Sequence, residues 1–448
     1  MAEIIKTAAD TGWRVSRYNL TASLSGVADT VIANLYSGIC SRISPYELHV
    51  MDSLDTVSET HPLLDSLAQR GFIVNFDERK ALEVMGRYVC GESHLVSLMI
   101  CPTLGCNFDC PYCYENHHGG VMPKEVQAEV VELVRRLLKA GRPKLLFVSW
   151  FGGEPLLAPD VIEALSEKLI ALAAENGTDY MARIVTNGYL LSTEIVAMLD
   201  RVKVKKAMVT LDGIGAFHDA TRYLAGGGPT FERITNNLRQ LHFPFPVYIR
   251  HNVHEGNRDQ VEPLKAFVKE IARESGNRIF YGLKPVFTNK ASRERGAQIN
   301  PCGSKDPELW YEMTGRKLSG GGGLACPVQQ LFSLSVDEKG NLYKCPTKLG
   351  DPEHIFGTAA DWKPADPLKT AAFPDRLTCW LNSAGALDDP ECSACIWLPQ
   401  CRGGCPAARL EGRRSCVSWK NDPEEFIKGL GTGDLSYMED AARQFNTK

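Results

Sequence analysis

The chain has 448 residues, 44% of them hydrophobic, and a formal net charge of −4. These values are typical of a globular protein of two or three domains and exclude a disordered or fibrous chain. The slight acidic excess, without a long run of Lys or Arg, argues against a nucleic-acid partner. No apolar stretch approaches the ~18 residues of a membrane span, and the N-terminus lacks the pattern of a signal peptide, so we expect a cytoplasmic protein without membrane association.

The N-terminal region alternates between strand-like and helical patterns. Residues 13–24 and 30–44 read as strand-like segments, and residues 45–54 and 61–70 read as short helical segments that end before another apolar run. The pattern predicts a small strand-plus-helix domain over residues 1–92.

A second region, residues 93–310, alternates β-branched apolar runs with segments of helical period. The predicted strands are Leu95–Cys101, Leu145–Ser149, Ala182–Thr186, Ala207–Leu211, Val247–Asn252 and Arg278–Val286. The helical segments between them cover residues near 126–137, then 159–175, 192–202, 231–242 and 259–274. Six strands alternating with helices predict an α/β fold with a parallel sheet or barrel. In such folds the reactive groups lie at the carboxyl ends of the strands.

Fifteen cysteines occur in a chain without an export signal. The reducing cytosol disfavours disulfides, so metal ligation is the better interpretation. Five cysteines stand apart from any cluster, and we expect them to be small buried hydrophobic residues: Cys40, Cys90, Cys101, Cys302 and Cys379. The other ten fall into two groups with regular spacing.

The first group follows the first predicted barrel strand, with Cys106, Cys110 and Cys113 in a C-x3-C-x2-C spacing. Three thiolates on one short loop can hold three irons of a 4Fe-4S cluster and leave the fourth iron open for chemistry. A structural zinc ion is the alternative, and it would need a fourth ligand such as His117 or His118.

The second group lies in residues 311–448, a Gly-rich and weakly helical region that starts near the GGGG segment at 320–323. Its seven cysteines are Cys326, Cys345, Cys392, Cys395, Cys401, Cys405 and Cys416. Thiolates suit both zinc and iron-sulfur clusters, so structural zinc is the alternative here as well.

The first group resembles the signature of the radical S-adenosylmethionine (SAM) superfamily, including Tyr112 before the third cysteine. Other strand-end motifs are similar to family elements that contact the cofactor: Gly152-Gly153-Glu154, Thr186-Asn187-Gly188, Thr210 in Thr210-Leu211-Asp212-Gly213, and, more weakly, Arg250 and Asn252. A structural salt bridge is the alternative for Arg250. The resemblance implies a partial (β/α)6 radical SAM barrel. It also implies that SAM chelates the open iron and is cleaved to a 5'-deoxyadenosyl radical, which abstracts a substrate hydrogen.

The second group resembles the SPASM domain, the auxiliary-cluster module of peptide-modifying radical SAM enzymes. That resemblance implies one 4Fe-4S cluster on Cys392, Cys395, Cys401 and Cys416, and another on Cys326, Cys345 and Cys405. The second set lacks one thiolate. Either Cys302 or Cys379 completes it, or an iron stays open and could bind a substrate cysteine. Three 4Fe-4S clusters are therefore expected in all.

The N-terminal region resembles the winged-helix-like recognition domain of enzymes that mature ribosomally made peptides. There a leader peptide adds a strand to an exposed sheet edge. A plain accessory domain that packs on the barrel is the alternative. The implied partners are a precursor peptide with a leader sequence and an electron donor such as ferredoxin or flavodoxin.

The combined resemblance implies a radical SAM maturase that installs a cross-link in a ribosomal peptide, with a thioether favoured and a carbon-carbon bond next. An anaerobic sulfatase-maturing enzyme is the alternative, but Pro346 stands where that family has an Asp as general base directly after the cysteine matching Cys345. A non-enzymatic iron-sulfur or zinc scaffold would leave the strand-end motifs unexplained. No catalytic base can be identified from the sequence.

Overall fold

The computed structural model describes residues 7–23, 30–91, 94–115, 117–286, 326–363, 375–382 and 385–414, together with residues 416, 420, 423–424 and 426–427. The chain forms two compact units. The first contains the described residues within Met1–Val89 and Ala384–Lys448, and the second those within Cys90–Asp306 and Cys326–Ser383. The predicted C-terminal domain, 311–448, is thus divided between the two units.

The N-terminal part of the first unit contains a three-stranded antiparallel sheet with β3 at its centre. Its elements are β1 (Arg14–Val15), β2 (Asn19–Ser23), β3 (Thr30–Asn34), β4 (Ile39–Ile43), α1 (Pro45–Asp52), α2 (Leu63–Gln69) and β5 (Ile73–Val74). Strand β3 pairs with β2 and β4, and β1 pairs with β5. Ser44 caps α1 by accepting a hydrogen bond from the backbone N–H of Glu47, a capping box.

The strand-like segment predicted over residues 30–44 is two strands rather than one. The side-chain oxygen of Asn34 accepts hydrogen bonds from the backbone N–H groups of Tyr36 (3.0 Å) and Ser37 (2.6 Å). This local pattern turns the chain after β3, because an Asn side chain can replace a backbone acceptor in a turn.

In the C-terminal part of the first unit, the described residues include three helices of four or five residues: α11 (Pro390–Ala394), α12 (Leu398–Cys401) and α13 (Pro406–Leu410). Each has Pro near its first position, where the missing N–H costs no hydrogen bond. Trp397 and Phe426 share a buried core with Tyr18 and Val31 of the N-terminal sheet.

The second unit is built on a nine-stranded, mostly parallel sheet. Six of its strands follow chain order: β6 (Leu95–Ile100), β7 (Leu145–Trp150), β8 (Asp179–Thr186), β9 (Val204–Thr210), β10 (Val247–Val253) and β11 (Ile279–Pro285). All neighbouring pairs among them are parallel. The six predicted strands are confirmed, and so is the α/β fold with a partial barrel.

Helices connect these strands and cover the sheet. Helix α3 (Glu78–Gly91) precedes β6 and lies mostly in the first unit. The helices that the structure describes between the strands are α4 (Lys124–Gly141), α5 (Pro159–Glu175), α6 (Thr193–Arg201), α7 (Ala216–Asp219), α8 (Phe231–Gln240) and α9 (Val261–Ser275). Apolar residues at helical spacing in α4, such as Val130, Leu133 and Leu137, are fully buried in the core. Because the six strands are parallel, their carboxyl ends lie at one edge of the sheet, where the sequence motifs lie.

Three further strands extend the sheet beyond β6. They are β12 (Ser333–Val336), β13 (Asn341–Tyr343) and β14 (Gly357–Thr358). Strand β12 runs parallel to β6, whereas β13 and β14 are antiparallel to their neighbours. A last helix, α10 (Asp375–Asn382), packs against the turn that follows Cys326. Within the part of the chain that the structure describes, no helix is both long and apolar enough to cross a membrane.

Candidate functional site

An open cavity lies at the carboxyl ends of β6 to β10, with about 800 Å³ of empty space that is partly open to solvent. Its walls bring together ten of the residues that the sequence singled out: Cys106, Cys110, Cys113, Tyr112, Gly152, Gly153, Thr186, Asn187, Thr210 and Arg250. Asn252, also considered from the sequence, lines it too. The three cysteines of the first group thus face the same space as the strand-end motifs.

The loop that carries Cys106, Cys110 and Cys113 is held by backbone hydrogen bonds to two other segments. Glu154 N–H donates to the carbonyl of Gly105 (2.9 Å), and Ala225 N–H donates to that of Asn107 (2.9 Å). The Asn187 side chain also donates to the Asn107 side-chain oxygen (2.7 Å). The cysteine positions are therefore fixed by the loops after β7, β8 and β9.

Burial keeps the three thiols uncharged in the absence of a metal. It raises the pKa of Cys106 to about 12 and raises those of Cys110 and Cys113 as well. A thiolate is the form that binds metal, and a bound cation supplies the charge that stabilises it. His117 Nε2 lies 3.1 Å from Cys113 Sγ, and His118 Nε2 lies 2.9 Å from Glu338 Oε1.

Glu154 does not line the cavity, although the sequence placed it among the cofactor contacts. Its carboxylate is fully buried and accepts hydrogen bonds from the Thr186 hydroxyl (2.7 Å), Asn187 N–H (2.7 Å) and Leu156 N–H (3.0 Å). The side chain thereby joins the loop after β7 to the end of β8. Burial raises the pKa of Glu154, and these donors oppose that shift.

Tyr112 is the centre of a buried polar network behind the cysteine loop. Its hydroxyl donates to the Asp212 carboxylate and accepts hydrogen bonds from Arg222 (2.9 Å) and Asn252 (3.3 Å). Asp212 also accepts from the backbone N–H of Asn252 (3.1 Å). The network ties the cysteine loop to the ends of β9 and β10.

Sequence reasoning missed Glu115 and Arg222, which both line the cavity. Glu115 Oε2 and Arg222 Nε are buried and have no hydrogen-bond partner among the described residues. Burial raises the pKa of Glu115 to about 8. Spacing gives no signal for either residue, because a charged side chain in a loop ordinarily faces solvent.

The cavity fits a three-cysteine 4Fe-4S cluster and a polar cofactor such as SAM. Three soft sulfur donors face one side of it, as such a cluster requires. Arg222 and Glu115, which line the cavity, each have a buried polar atom without a partner among the described residues, and such atoms call for a polar ligand or water.

Comparison with protein families decides between this interpretation and a zinc site at the first group. The family model of the radical SAM superfamily matches residues 100–268, which contain the three cysteines and β7 to β10. The chain carries a radical SAM domain. A family of this kind implies SAM and a 4Fe-4S cluster as cofactors, as the sequence predicted.

Two curated relatives illustrate the extent of the similarity. An AdoMet-dependent heme synthase from Methanosarcina barkeri is 34% identical over 219 residues, which cover 47% of this chain and 56% of the relative. The chain thus spans little more than half the length of that relative. The mycofactocin maturase MftC of Mycobacterium ulcerans is 25% identical over 378 residues, which cover 76% of this chain and 90% of the relative.

Among solved structures, anSMEcpe with bound AdoMet and a peptide matches with a TM-score of 0.54. The match is 20% identical and covers 78% of this chain and 99% of that chain. At this identity the likeness concerns the fold, and it agrees with the partial barrel described above.

Outside the radical SAM domain, a second cavity brings together one complete set of predicted cluster ligands. Cys392, Cys395, Cys401 and Cys416 all line it. Among the described residues, no group of three or more His, Cys, Asp or Glu side chains is arranged to hold a single metal ion. A 4Fe-4S cluster instead receives each thiolate on a different iron, so its ligands surround a space.

The other predicted set is distributed over both units. Cys326 and Cys345 belong to the second unit, whereas Cys405 belongs to the first. Cys326 directly precedes a tight turn, and Cys345 lies two residues after the end of β13. Lys344 is buried and donates a hydrogen bond to the carbonyl of Ser333 (2.6 Å), which braces the segment before Cys345. The assignment of these three cysteines to one cluster stays a prediction.

The isolated cysteines differ from one another. Cys101 is buried, as expected, and its thiol donates to the carbonyl of Thr103 (3.0 Å). Cys40 is half-buried, whereas Cys379 is exposed on α10, so the expectation of burial is wrong for Cys379. Cys302 lies outside the described residues, as does the side chain of Cys90.

Removing the Tyr112 hydroxyl tests the buried network. We expect Tyr112→Phe to lower the free energy of unfolding by about 1 to 3 kcal/mol, because Asp212 and Arg222 lose a partner while they remain buried. Urea titration of the purified protein measures the change. The control is Tyr248→Phe, whose ring stacks on Phe280 with 5.1 Å between centroids. Equal stability changes in the two variants would contradict a special role for the Tyr112 network.

Proposed function

We propose that this protein is a radical SAM maturase that forms a thioether cross-link in a ribosomally made peptide. The observation that carries the proposal is the cavity that joins Cys106, Cys110 and Cys113 to Thr186, Asn187 and Thr210 at the strand ends. When bound there, SAM and the reduced cluster supply the abstraction of a hydrogen from the substrate.

The residues of the cavity have distinct tasks in this proposal. The three cysteines hold the cluster, and the backbone at Gly152 and Gly153 together with Thr210 and Arg250 contacts SAM. The network of Tyr112 with Asp212 and Arg222 keeps the cysteine loop in place, since Tyr112 and Asp212 are both buried.

A thioether needs an electron acceptor besides SAM. Joining a cysteine thiol to a carbon removes two hydrogens from the peptide, one as a hydrogen atom and one as a proton with an electron. Bound SAM would supply the acceptor of the hydrogen atom, and an auxiliary cluster would supply the acceptor of the electron. The four cysteines around the second cavity, Cys392, Cys395, Cys401 and Cys416, are the proposed ligands of one such cluster. The second auxiliary cluster, on Cys326, Cys345 and Cys405, makes three clusters in all.

Relatives support a peptide as the substrate. The match to the mycofactocin maturase covers 76% of this chain, whereas the match to the heme synthase covers 47%. The sporulation killing factor maturation protein of Bacillus subtilis is a further relative, 27% identical over 203 residues. Recognition of a leader peptide is assigned to the N-terminal sheet, in which β2 and β4 are the edge strands. Ferredoxin or flavodoxin would supply the first electron in the cytoplasm.

A sulfatase-maturing enzyme is the second candidate, because the anSMEcpe structure has the same fold. Pro346 starts the turn after Cys345 and carries no group that can accept a proton. The thioether-forming function is therefore favoured over formylglycine formation.

Anaerobic co-expression with short cysteine-containing peptides encoded beside the gene tests the proposal. We expect the peptide mass to fall by two hydrogens, with loss of one free thiol and no new aldehyde. The matched control is Cys106→Ala, which should leave the peptide unchanged. A new aldehyde would favour the sulfatase-maturing function. An unmodified peptide, in spite of SAM cleavage by the purified wild type, would reject these peptides as substrates.

A further inference from the structure

Asp389 connects the segments that carry the four cysteines of the second cavity. Its carboxylate caps α11 by accepting hydrogen bonds from the backbone N–H groups of Glu391 (3.0 Å) and Cys392 (3.2 Å). Arg414, two residues before Cys416, contacts the same carboxylate through Nε (3.3 Å) and Nη2 (3.2 Å). The pair thereby brings the segment of Cys416 to the other ligands.

Arg409 reaches one of the proposed ligand sulfurs directly. Its Nη1 donates to Cys392 Sγ at 3.5 Å, and its Nη2 lies 3.6 Å from Asp389. The side chains of Arg409 and Asp389 are only 15% and 16% exposed, so solvent screens this contact weakly. Gly403 lies next to this guanidinium, and a Cβ there would lie 3.4 Å from Arg409 Nη1, an ordinary van der Waals contact.

A guanidinium that donates to a ligand thiolate stabilises the more negative state of a cluster. Reduction adds one electron to the cluster, and hydrogen bonds to its sulfurs are among the factors that set its potential. The guanidinium keeps its charge at every pH of interest. Its contact with Cys392 should therefore make the cluster easier to reduce.

We propose that Arg409 raises the reduction potential of the cluster held by Cys392, Cys395, Cys401 and Cys416, and that Asp389 is the positioning residue for its guanidinium. This inference rests on the cluster assignment under the proposed function. A raised reduction potential would make this cluster a better acceptor of the electron that the substrate loses. Arg409 acts on the cluster and does not touch the reacting peptide.

A potentiometric titration followed by EPR tests this role in the full-length chain with reconstituted iron and sulfide. The transition of this cluster is identified as the one missing from Cys401→Ala. In Arg409→Gln we expect this transition alone to move to lower potential, with unchanged iron content. A tenfold change in the ratio of oxidised to reduced cluster corresponds to about 59 mV. The control is Arg413→Gln, which removes an exposed guanidinium that pairs with Glu411 instead.

The outcomes separate this inference from the cluster assignment. An unchanged potential in fully loaded Arg409→Gln would overturn the role of Arg409, and so would an equal shift in Arg413→Gln. If Arg409→Gln loses iron, Arg409→Met is titrated instead, because methionine is a long side chain without a charge or an N–H donor, and a wild-type potential there would overturn the inference. Full iron content and all transitions in Cys401→Ala would reject the assignment itself.

Discussion

Replacing Cys110 with alanine is expected to abolish SAM cleavage. Cys110 faces the cavity between Cys106 and Cys113, and two thiolates cannot retain a cluster that already has one open iron. We expect the iron content of the reconstituted chain to fall from about twelve to about eight atoms, because the two proposed auxiliary clusters stay loaded. Iron analysis and the yield of 5'-deoxyadenosine under reducing conditions measure the two effects.

The control for this variant is Cys40→Ala. Cys40 lies on β4 of the first unit and lines neither of the two cavities that bring cysteines together. We expect Cys40→Ala to retain full iron content and SAM cleavage. Retention of twelve irons in Cys110→Ala, or cleavage at the wild-type rate, would contradict the assignment of the three-cysteine loop.

The parallel strands could be predicted because each is a short apolar run bounded by a helical segment. The predicted strand Leu145–Ser149, for example, differs from the observed β7 by one residue. The strand β12 could not be predicted from local pattern. Its parallel partner is β6, more than two hundred positions earlier in the chain, and its four residues carry no mark of that pairing.

The meeting of the first cysteine group and the strand-end motifs at one cavity could be predicted, because each motif directly follows a predicted parallel strand. The buried charges around them could not. Arg222 and Asp212 are held inside the domain by Tyr112, and this long-range compensation has no counterpart in local sequence. The motif around Glu154 predicts that this residue follows a strand near the cavity. It does not indicate that the carboxylate is fully buried.

Gly153→Ala is expected to remove the SAM-binding cluster although it changes no ligand. A Cβ at this position would lie 2.2 Å from the carbonyl oxygen of Gly105 and 2.6 Å from that of Leu104. Both neighbours are backbone atoms directly before Cys106, so relief requires a shift of the whole cysteine loop. We expect a loss of stability of about 3 kcal/mol, with loss of the cluster and of SAM cleavage.

A matched substitution separates this steric effect from the general cost of replacing a loop glycine. Gly226 belongs to the segment that is hydrogen-bonded to the cysteine loop, yet a Cβ there would meet no atom within 4 Å. We therefore expect Gly226→Ala to keep both its iron and its unfolding midpoint. Gly153→Ala could instead retain its iron and cleave SAM as Gly226→Ala does. The cysteine loop could then move without cost, and the idea that the loop after β7 holds it rigidly would be wrong. If only Gly153→Ala loses iron, backbone contact between the two loops determines where the cluster is held.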